Sequence, residues 1–198
     1  MRQPRGLQNT DPFVFGPRFL YTGCQQHTNQ GRSETQLRRL TRGSVILFGS
    51  CRGDRFVLDT VFVVADHLDH GVADHQRILA GEVPEEYWTV TMGPWYADGG
   101  GTQSFRLYRG ATPDEPVAGM FSFTPCLPTE GGAQRFPRPE IRLPGVITPQ
   151  LRQGKKIAKF DSLEPLRELW AQVLLQVEDA GLAAAARVAM PSEGTNLR

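Results

Sequence analysis

The hydrophobic positions along the chain fall into short runs separated by turn residues, and this pattern predicts a series of β-strands. The clearest run is SVILFG, whose consecutive apolar residues are typical of a buried strand. Asp59 and Thr60 interrupt a second, longer run, and we interpret them as a bulge or an inward polar pair. The five predicted strands occupy 44–49, 55–64, 87–92, 104–110 and 118–125.

Two segments have the spacing of helices. Ser33 with Gln36 three residues later forms a capping-box pattern, which predicts a short helix over 34–40. A longer helix is predicted over 162–180, with Ser162 as its N-cap. Its apolar stripe should pack on the outside of the sheet and comprises Leu166, Leu169, Trp170, Val173, Leu174 and Val177.

These elements predict an α+β fold. We expect a small curved, mainly antiparallel sheet, or a partly closed β-barrel, with a short N-terminal helix and a C-terminal amphipathic helix. A bent or closed sheet would reduce the number of exposed edges. The 198 residues suffice for one domain, and we predict a single domain over 1–198 with its core at 11–181 and flexible ends at 1–10 and 190–198.

Composition limits the classes of partner. The formal net charge is +1, so any nucleic acid would have to meet a local basic patch. No apolar run approaches the length of a membrane span, and the first residues lack the apolar stretch of a signal peptide. Three widely spaced cysteines are typical of reduced thiols. We therefore expect a cytoplasmic protein without a membrane partner.

The segment LRRLTRGSVILFGS resembles the entrance of PUA-like barrels, the superfamily of ASCH, EVE and YTH domains, with Ser44 where aspartate is more usual. The longer pattern FVFG…LRRL…GSVILFGS…FVLDTVFVV…FRLYRGA…GMFSFTPC, over about 11–145, resembles the nucleotide-modification-associated domains. The resemblance implies a PUA-like barrel that binds nucleic acid or a modified nucleotide. The ASCH pattern Gly-x-Lys-x-x-Glu-x-Arg is absent, which leaves the ligand open.

An aromatic and glycine-rich segment between two predicted strands is the candidate ligand site. Aromatic rings can stack on a base, and consecutive glycines let the backbone approach a ligand. The alternative is that Trp95 only packs on the end of the barrel and that the glycines form a hairpin tip. The predicted ligand-binding residues are Tyr21, Trp95, Tyr96, Gly99, Gly100 and Gly101.

Three residues are candidates for catalysis. Cys24 lies three residues before His27, and a thiolate beside an imidazole can serve as nucleophile and base. Asp59, on an otherwise apolar strand, would have a raised pKa if it were buried without a partner. The alternative for Asp59 is an outward-facing or hydrogen-bonded carboxylate. An enzyme acting on a nucleotide or related small molecule is therefore the second hypothesis.

Basic residues form two groups that could contact phosphates. The first group lies on and after the short helix, and the second lies in a proline-rich segment that could equally be a solvated irregular stretch. The predicted nucleic-acid-binding residues are Arg38, Arg39, Arg42, Arg138, Arg142, Lys155 and Lys156.

The segment DHLDHGVADH contains three of the four histidines. His67 and His70 would share a face on a helical turn, but the segment lacks the spacing of a known zinc motif. We interpret it as a solvated loop and predict neither a metal site nor a cofactor. A third hypothesis, besides the binding module and the enzyme, is a structural or partner-binding protein that uses the C-terminal helix as its contact surface.

Overall fold

The computed structural model describes residues 11–23, 26–28, 33–52, 55–97, 104–127, 135–144, 146 and 160–190. The strands are β1 Leu20–Tyr21, β2 Val45–Arg52, β3 Arg55–His70, β4 Phe105–Gly110, β5 Thr124–Cys126, β6 Glu140–Ile141 and β7 Ala183–Ala185. The helices are a 3₁₀-helix Gln36–Arg39, α1 His75–Ile78, α2 Glu85–Tyr87, a π-helix Trp88–Met92, α3 Gly93–Ala97 and α4 Glu164–Asp179.

The strands form two antiparallel sheets. The main sheet has the order β1-β4-β3-β2, with β6 paired to the first residues of β3, and β5 pairs with β7 in a second, two-stranded sheet. The prediction of an α+β fold with mainly antiparallel strands is therefore confirmed. Within the described residues the main sheet is an open path of strands, and no closed barrel is formed.

Strand β3 is the centre of the molecule because both of its faces are buried. Val61 and Val63 pack in one core with α4, whereas Phe62 and Val64 pack in a second core on the opposite face. A strand that is covered on both sides favours apolar residues at consecutive positions, which explains the continuous apolar run over 61–65. The strand predicted over 55–64 is thus confirmed, and β3 continues beyond it.

Two bulges bend β3 and shift the faces to which its side chains point. In the pairing with β2, Phe48 lies opposite Thr60 and Gly49 lies opposite Leu58, so Asp59 is passed over. The predicted bulge at Asp59 is therefore confirmed. In the pairing with β4 the register shifts again between Val64 and Asp66.

Helix α4 packs as its sequence pattern predicts. Its buried residues Trp170, Val173 and Val177 lie against the core formed by β3 and its neighbours. The indole Nε1 of Trp170 donates a hydrogen bond to the carbonyl of Phe121 at 2.9 Å. Burial of such side chains contributes about 1.5–3 kcal/mol each, so this helix is part of the folding unit.

The strand predicted over 87–92 is wrong, because this segment is helical. Pro84 at the N-cap and Glu85 in the first turn favour a helix start, and these signals oppose the β-branched residues that follow. Packing then decides the conformation: Tyr87 and Met92 are buried in a third core with residues of β1 and β4. Tertiary packing overrides local β-propensity here.

Other boundaries also differ from the predictions. β3 continues to His70, so the segment interpreted as a solvated loop begins within a strand. The strand predicted over 118–125 is reduced to β5, and the helix predicted over 34–40 is a short 3₁₀-helix capped by Thr35 rather than Ser33. The strands predicted over 44–49 and 104–110 are confirmed as β2 and β4. The ends expected to be flexible, 1–10 and all of 190–198 except Met190, lie outside the described residues.

Candidate ring-binding site

The last residues of β3 and the first residues of β4 form the end of the main sheet that carries the candidate site. His70 pairs with Phe105, and Asp69 pairs with Arg106. Neighbouring residues of a strand point to opposite faces, so this end has one face of rings and one face of charges. The two faces therefore offer different chemistry to a ligand.

Three parallel rings stand on the first face. The centroids of His75 and Tyr96 lie 3.8 Å apart with an interplanar angle of 5°, and Trp88 lies within 9° of both planes at 5.6 and 5.7 Å. All three side chains are half-buried, so part of the stack faces solvent. We call this stack, together with Trp95, Phe105 and His70, the ring cluster.

The helical segment from α2 to α3 supplies most of these rings. Its middle part is the π-helix, a rare conformation that occurs frequently at functional sites. A Cβ on Gly93 would lie 3.1 Å from the carbonyl oxygen of Trp88 and 3.2 Å from its Nε1, so the glycine permits a close approach. The wider turn sets the indole of Trp88 parallel to the phenol of Tyr96, although the two residues lie in different parts of the helix.

Trp95 extends the ring cluster toward the segment after β1. Its ring stacks on Phe105 at 5.0 Å with an interplanar angle of 29°, and it lies directly against Gly23. Phe105 in turn contacts His27 edge-to-face at 5.3 Å. The structure therefore brings together Trp95, Tyr96 and His27, three of the residues singled out in the sequence.

His70 joins the ring cluster to the interior. Its side chain is 1% exposed; Nδ1 contacts the hydroxyl of Tyr96, and Nε2 lies 3.5 Å from Oγ1 of Thr22. Burial lowers the pKa of His70 to about 4, although the nearby carboxylate of Asp74 opposes this effect. The imidazole is therefore neutral at neutral pH.

Tyr87 and Asp11 form hydrogen bonds that stabilise the chain segments around the ring cluster. The hydroxyl of Tyr87 donates to Oδ1 of Asp11 at 2.8 Å, and the same oxygen accepts the backbone N–H of Thr22 at 3.0 Å. Burial and the neighbouring carboxylate raise the pKa of Tyr87 well above its usual range. This carboxylate thus fixes the segment after β1 against the helix that carries the rings.

His27 is held at the edge of the cluster by its neighbour Gln26. The buried amide of Gln26 donates to the carbonyl of Arg106 at 2.6 Å and accepts its backbone N–H at 2.9 Å, as a paired strand would. Burial and the charge of Arg38 lower the pKa of His27. Its Nδ1 is buried and has no hydrogen-bond partner in the part of the chain that the structure describes.

The second face of this sheet end holds a network of ion pairs. Arg38, only 6% exposed, donates to Oδ1 of Asp69 at 2.9 Å and to Oγ and the carbonyl of Ser104. Nε of Arg106 donates to the same Asp69 oxygen at 2.8 Å. Burial alone would raise the pKa of Asp69, but the hydrogen bond from Arg106 and the charge of Arg38 outweigh it and lower the pKa.

The other arginines predicted to bind phosphates also interact with groups of the protein itself. Arg39 lies 3.8 Å from Glu34, and Arg42 donates to the carbonyl of Ala65 at 2.9 Å. On another part of the sheet, Arg138 pairs with Asp59 and Arg142 with Glu140. The predicted phosphate contacts thus have partners within the protein, and Lys155 and Lys156 lie outside the described residues.

Asp59 does not approach His27. It lies in the first bulge of β3, eleven residues before His70, which is at the far end of this strand at about 3.3 Å per residue. His27 contacts Phe105, the residue that pairs with His70, and so lies near that far end. Burial raises the pKa of Asp59 despite its ion pair with Arg138. The three predicted catalytic residues are thus not assembled into one site by the described residues, and Cys24 lies outside them.

Tyr21 is also separate from the ring cluster. It is 1% exposed and stacks on Tyr108 at 5.9 Å in the core on the opposite face of the sheet. Gly99, Gly100 and Gly101 lie outside the described residues. Four residues of the ring cluster are not predicted from the sequence as site residues: His70, His75, Trp88 and Phe105. The concentration of histidines is the one sequence signal for the first two.

The described residues limit the class of site in two ways. They contain no group of three or more histidine, cysteine, aspartate or glutamate side chains arranged to hold a metal ion. In the same ranges, no helix combines the length and apolar character that crossing a bilayer requires. No protein-family model, curated protein or solved structure matches the chain.

Proposed function

We propose that the chain is a binding module that holds one heterocyclic ring, that of a modified nucleotide or of an unpaired base in a nucleic acid, against the ring cluster. The observation that carries the proposal is the stack of His75, Tyr96 and Trp88, three half-buried rings with nearly parallel planes. Stacking of a base on an aromatic side chain contributes about 1–3 kcal/mol. A flat ring placed on this stack would extend it.

The ion pairs of the arginines indicate whether ring stacking or phosphate contacts should supply most of the affinity for a ligand. Arg38 belongs to the 3₁₀-helix and is buried in its network with Asp69 and Ser104, on the face of the sheet opposite the rings. A phosphate that drew Arg38 away from these partners would deprive the carboxylate of Asp69 of one of its two arginine partners. Ring stacking should therefore supply most of the affinity, and binding should depend weakly on salt.

The order of elements supports a PUA-like origin as part of this proposal. The 3₁₀-helix leads through Gly43, at φ +86°, directly into β2. A Cβ at Gly43 would lie 2.4 Å from Leu163, so the step between helix and strand is tightly packed.

Cys51 and Cys126 are free thiols, which supports the proposed cytoplasmic location.

A fluorescence titration tests the proposal. The probes are nucleosides and short single-stranded oligonucleotides, modified and unmodified, and the signal is tryptophan emission. We expect quenching that saturates, with an affinity that falls by less than tenfold between 50 and 200 mM salt, in contrast to proteins that make many phosphate contacts. The variant Leu175→Ala, on the exposed side of α4, is the matched control and should bind like the wild type. The absence of saturable binding to every probe would refute the proposal.

A catalytic function is the second candidate, and His27 is the observation that favours it. A neutral imidazole whose buried Nδ1 has no partner among the described residues is suited to accept a proton, and Cys24 precedes it by three residues. Mass spectrometry of nucleotides incubated with the protein would detect conversion. We expect Cys24→Ser to abolish it and Asp59→Asn to leave it unchanged; no conversion by the wild type would exclude this candidate for those substrates.

The third hypothesis, a partner-binding surface on the C-terminal helix, receives no support from the packing of α4. Its apolar residues Trp170, Val173 and Val177 are buried against the sheet. Leu175 is exposed at 57% but lies on the outer side of the helix.

A further inference from the structure

Thr22, His70 and Tyr96 form a chain of contacts that begins in the core and ends in the ring cluster. Nε2 of His70 lies 3.5 Å from the hydroxyl oxygen of Thr22, and Nδ1 contacts the hydroxyl of Tyr96. Thr22 and His70 are buried, whereas Tyr96 is half-buried. These contacts therefore connect an interior hydroxyl group with the hydroxyl group of Tyr96, one of the rings of the ring cluster.

A neutral imidazole has one N–H and one nitrogen lone pair, so its two hydroxyl partners must play opposite roles. If Nδ1 carries the proton, it donates to Tyr96 while Nε2 accepts from Thr22. If Nε2 carries the proton, it donates to Thr22 while Nδ1 accepts from Tyr96. Because a hydroxyl group can both donate and accept, both arrangements satisfy both nitrogens of His70.

We propose that Thr22, His70 and Tyr96 form a tautomer relay that lets the Tyr96 hydroxyl act as either donor or acceptor toward the edge of a bound ring. With the proton on Nδ1 of His70, the Tyr96 proton is free to donate to the ligand. With the proton on Nε2, the Tyr96 proton is used by His70 and its lone pairs are free to accept. This inference rests on the proposed function and names what the site accepts: rings of the same shape with opposite hydrogen-bonding edges.

The relay changes no net charge. The two arrangements hold the same number of protons; His70 loses one from Nδ1 to water and gains one from water on Nε2, while both hydroxyl groups rotate. A neutral switch suits this site because charging a buried group is costly. The charged and titratable groups that act on His70 are Asp74, His75, Arg38 and Asp69.

The environment keeps both titratable members of the relay neutral at neutral pH. Burial lowers the pKa of His70, and burial together with the charge of Asp74 raises the pKa of Tyr96. Ionisation therefore does not compete with the tautomer change over the ordinary pH range.

Nitrogen-15 NMR of histidine-labelled protein tests the relay without a ligand. The chain has four histidines, and the variant His70→Gln identifies the signals of His70 by their loss. In Thr22→Val the Nε2 position loses its hydroxyl partner, and leaving a lone pair unpaired should cost less than leaving an N–H unpaired. We expect this variant to shift His70 toward the Nδ1–H tautomer, relative to the wild type.

Adenosine and inosine are the matched ligands, because their purine rings stack alike but carry amino and oxo groups at the same edge position. We expect the wild type to bind both with dissociation constants within about threefold, and the Nδ1 and Nε2 signals of His70 to move in opposite directions for the two ligands. Thr22→Val should favour inosine over adenosine by about fivefold, since its Tyr96 is biased toward donation; this corresponds to about 1 kcal/mol.

The outcomes separate the relay from the proposed function. If neither nucleoside binds but Thr22→Val changes the His70 tautomer, the ring-binding proposal fails for these ligands while the coupling of Thr22 to His70 stands. If His70 keeps one tautomer in the wild type, in Thr22→Val and with both ligands, the relay is overturned even when binding is tight. Equal ligand preference in Thr22→Val and the wild type would also overturn it.

Discussion

The indole of Trp95 lies so close to the backbone of Gly23 that no other residue fits at position 23. A Cβ built on Gly23 would lie 1.8 Å from Cη2 of Trp95, and Gly23 has a φ of +72°, in the left-handed region that side chains disfavour. Both features require glycine. This contact joins the segment after β1 to α3, the two parts of the chain that meet at the ring cluster.

Gly23→Ala should therefore displace Trp95. The left-handed backbone alone costs about 1–2 kcal/mol for alanine, and the clash adds to this cost. We expect a loss of stability in denaturant unfolding together with a changed tryptophan emission spectrum. Gly119→Ala is the control: its φ is also positive, at +82°, but nothing lies within 4 Å of its Cβ position. Equal effects of the two variants on emission would contradict the close contact with Trp95.

Trp95→Ala should weaken ring binding more than it weakens the fold. Trp95 is half-buried, so we expect its loss to cost about 1–2 kcal/mol of unfolding free energy while the affinity for nucleosides falls at least tenfold. Trp170→Ala is the comparison, because Trp170 is 8% exposed in the α4 core and its loss should cost about 3–5 kcal/mol. A large loss of stability in Trp95→Ala with unchanged binding would identify Trp95 as a core residue only.

His70 should make the protein less stable in acid. Its pKa falls from 6.5 to about 4 on folding, so between these values the unfolded chain binds a proton that the folded chain does not. Stability should therefore fall as the pH drops from about 6.5 toward 4, by up to about 3 kcal/mol in total. Urea unfolding at several pH values measures this dependence, and His70→Gln should reduce its slope. An unchanged slope in the variant would show that His70 is not responsible.

Arg38 should prove to be a structural residue. Arg38→Met removes its hydrogen bonds to Asp69 and Ser104 and should cost about 1–3 kcal/mol of unfolding free energy. Arg39→Met, at a side chain that is 71% exposed, should change stability by less than about 0.5 kcal/mol. Neither variant should alter oligonucleotide affinity or its salt dependence. A loss of affinity in both, with a salt slope reduced by about one unit each, would instead identify phosphate contacts.

The sequence predicts well those elements whose burial requires a recognisable arrangement of apolar residues, either a continuous run or a stripe at helical spacing. The central part of β3 is apolar because both faces are covered, and α4 has a single stripe because one face is covered. The sequence does not predict the last residues of β3 as part of a strand, because most of them are polar. Its polar residues are satisfied across the strand pair, as in the two hydrogen bonds of 2.5 and 2.9 Å from Arg109 to Asp66, and a sequence does not display such pairing.

The candidate site was predicted only in part for a related reason. Trp95 and Tyr96 stand out as aromatic residues beside glycines, but the stacking partners Trp88 and His75 belong to segments that were assigned to a strand and a loop. Their convergence depends on the π-helix and on the path of the chain after β3. The ion pairs of the basic residues are also not visible in the sequence, because their acidic partners, such as Asp69 for Arg38, are distant along the chain.

The two bulges of β3 also determine where the chain can change its length. Asp59 and Ala65 are passed over in the pairing with the adjacent strands, so the loss of either residue would leave every later side chain of β3 on its present face. The loss of a paired residue such as Phe62 would instead exchange the two faces beyond it, carrying charged residues into the cores. Single-residue deletions during divergence should therefore be tolerated at these two positions and rejected between them.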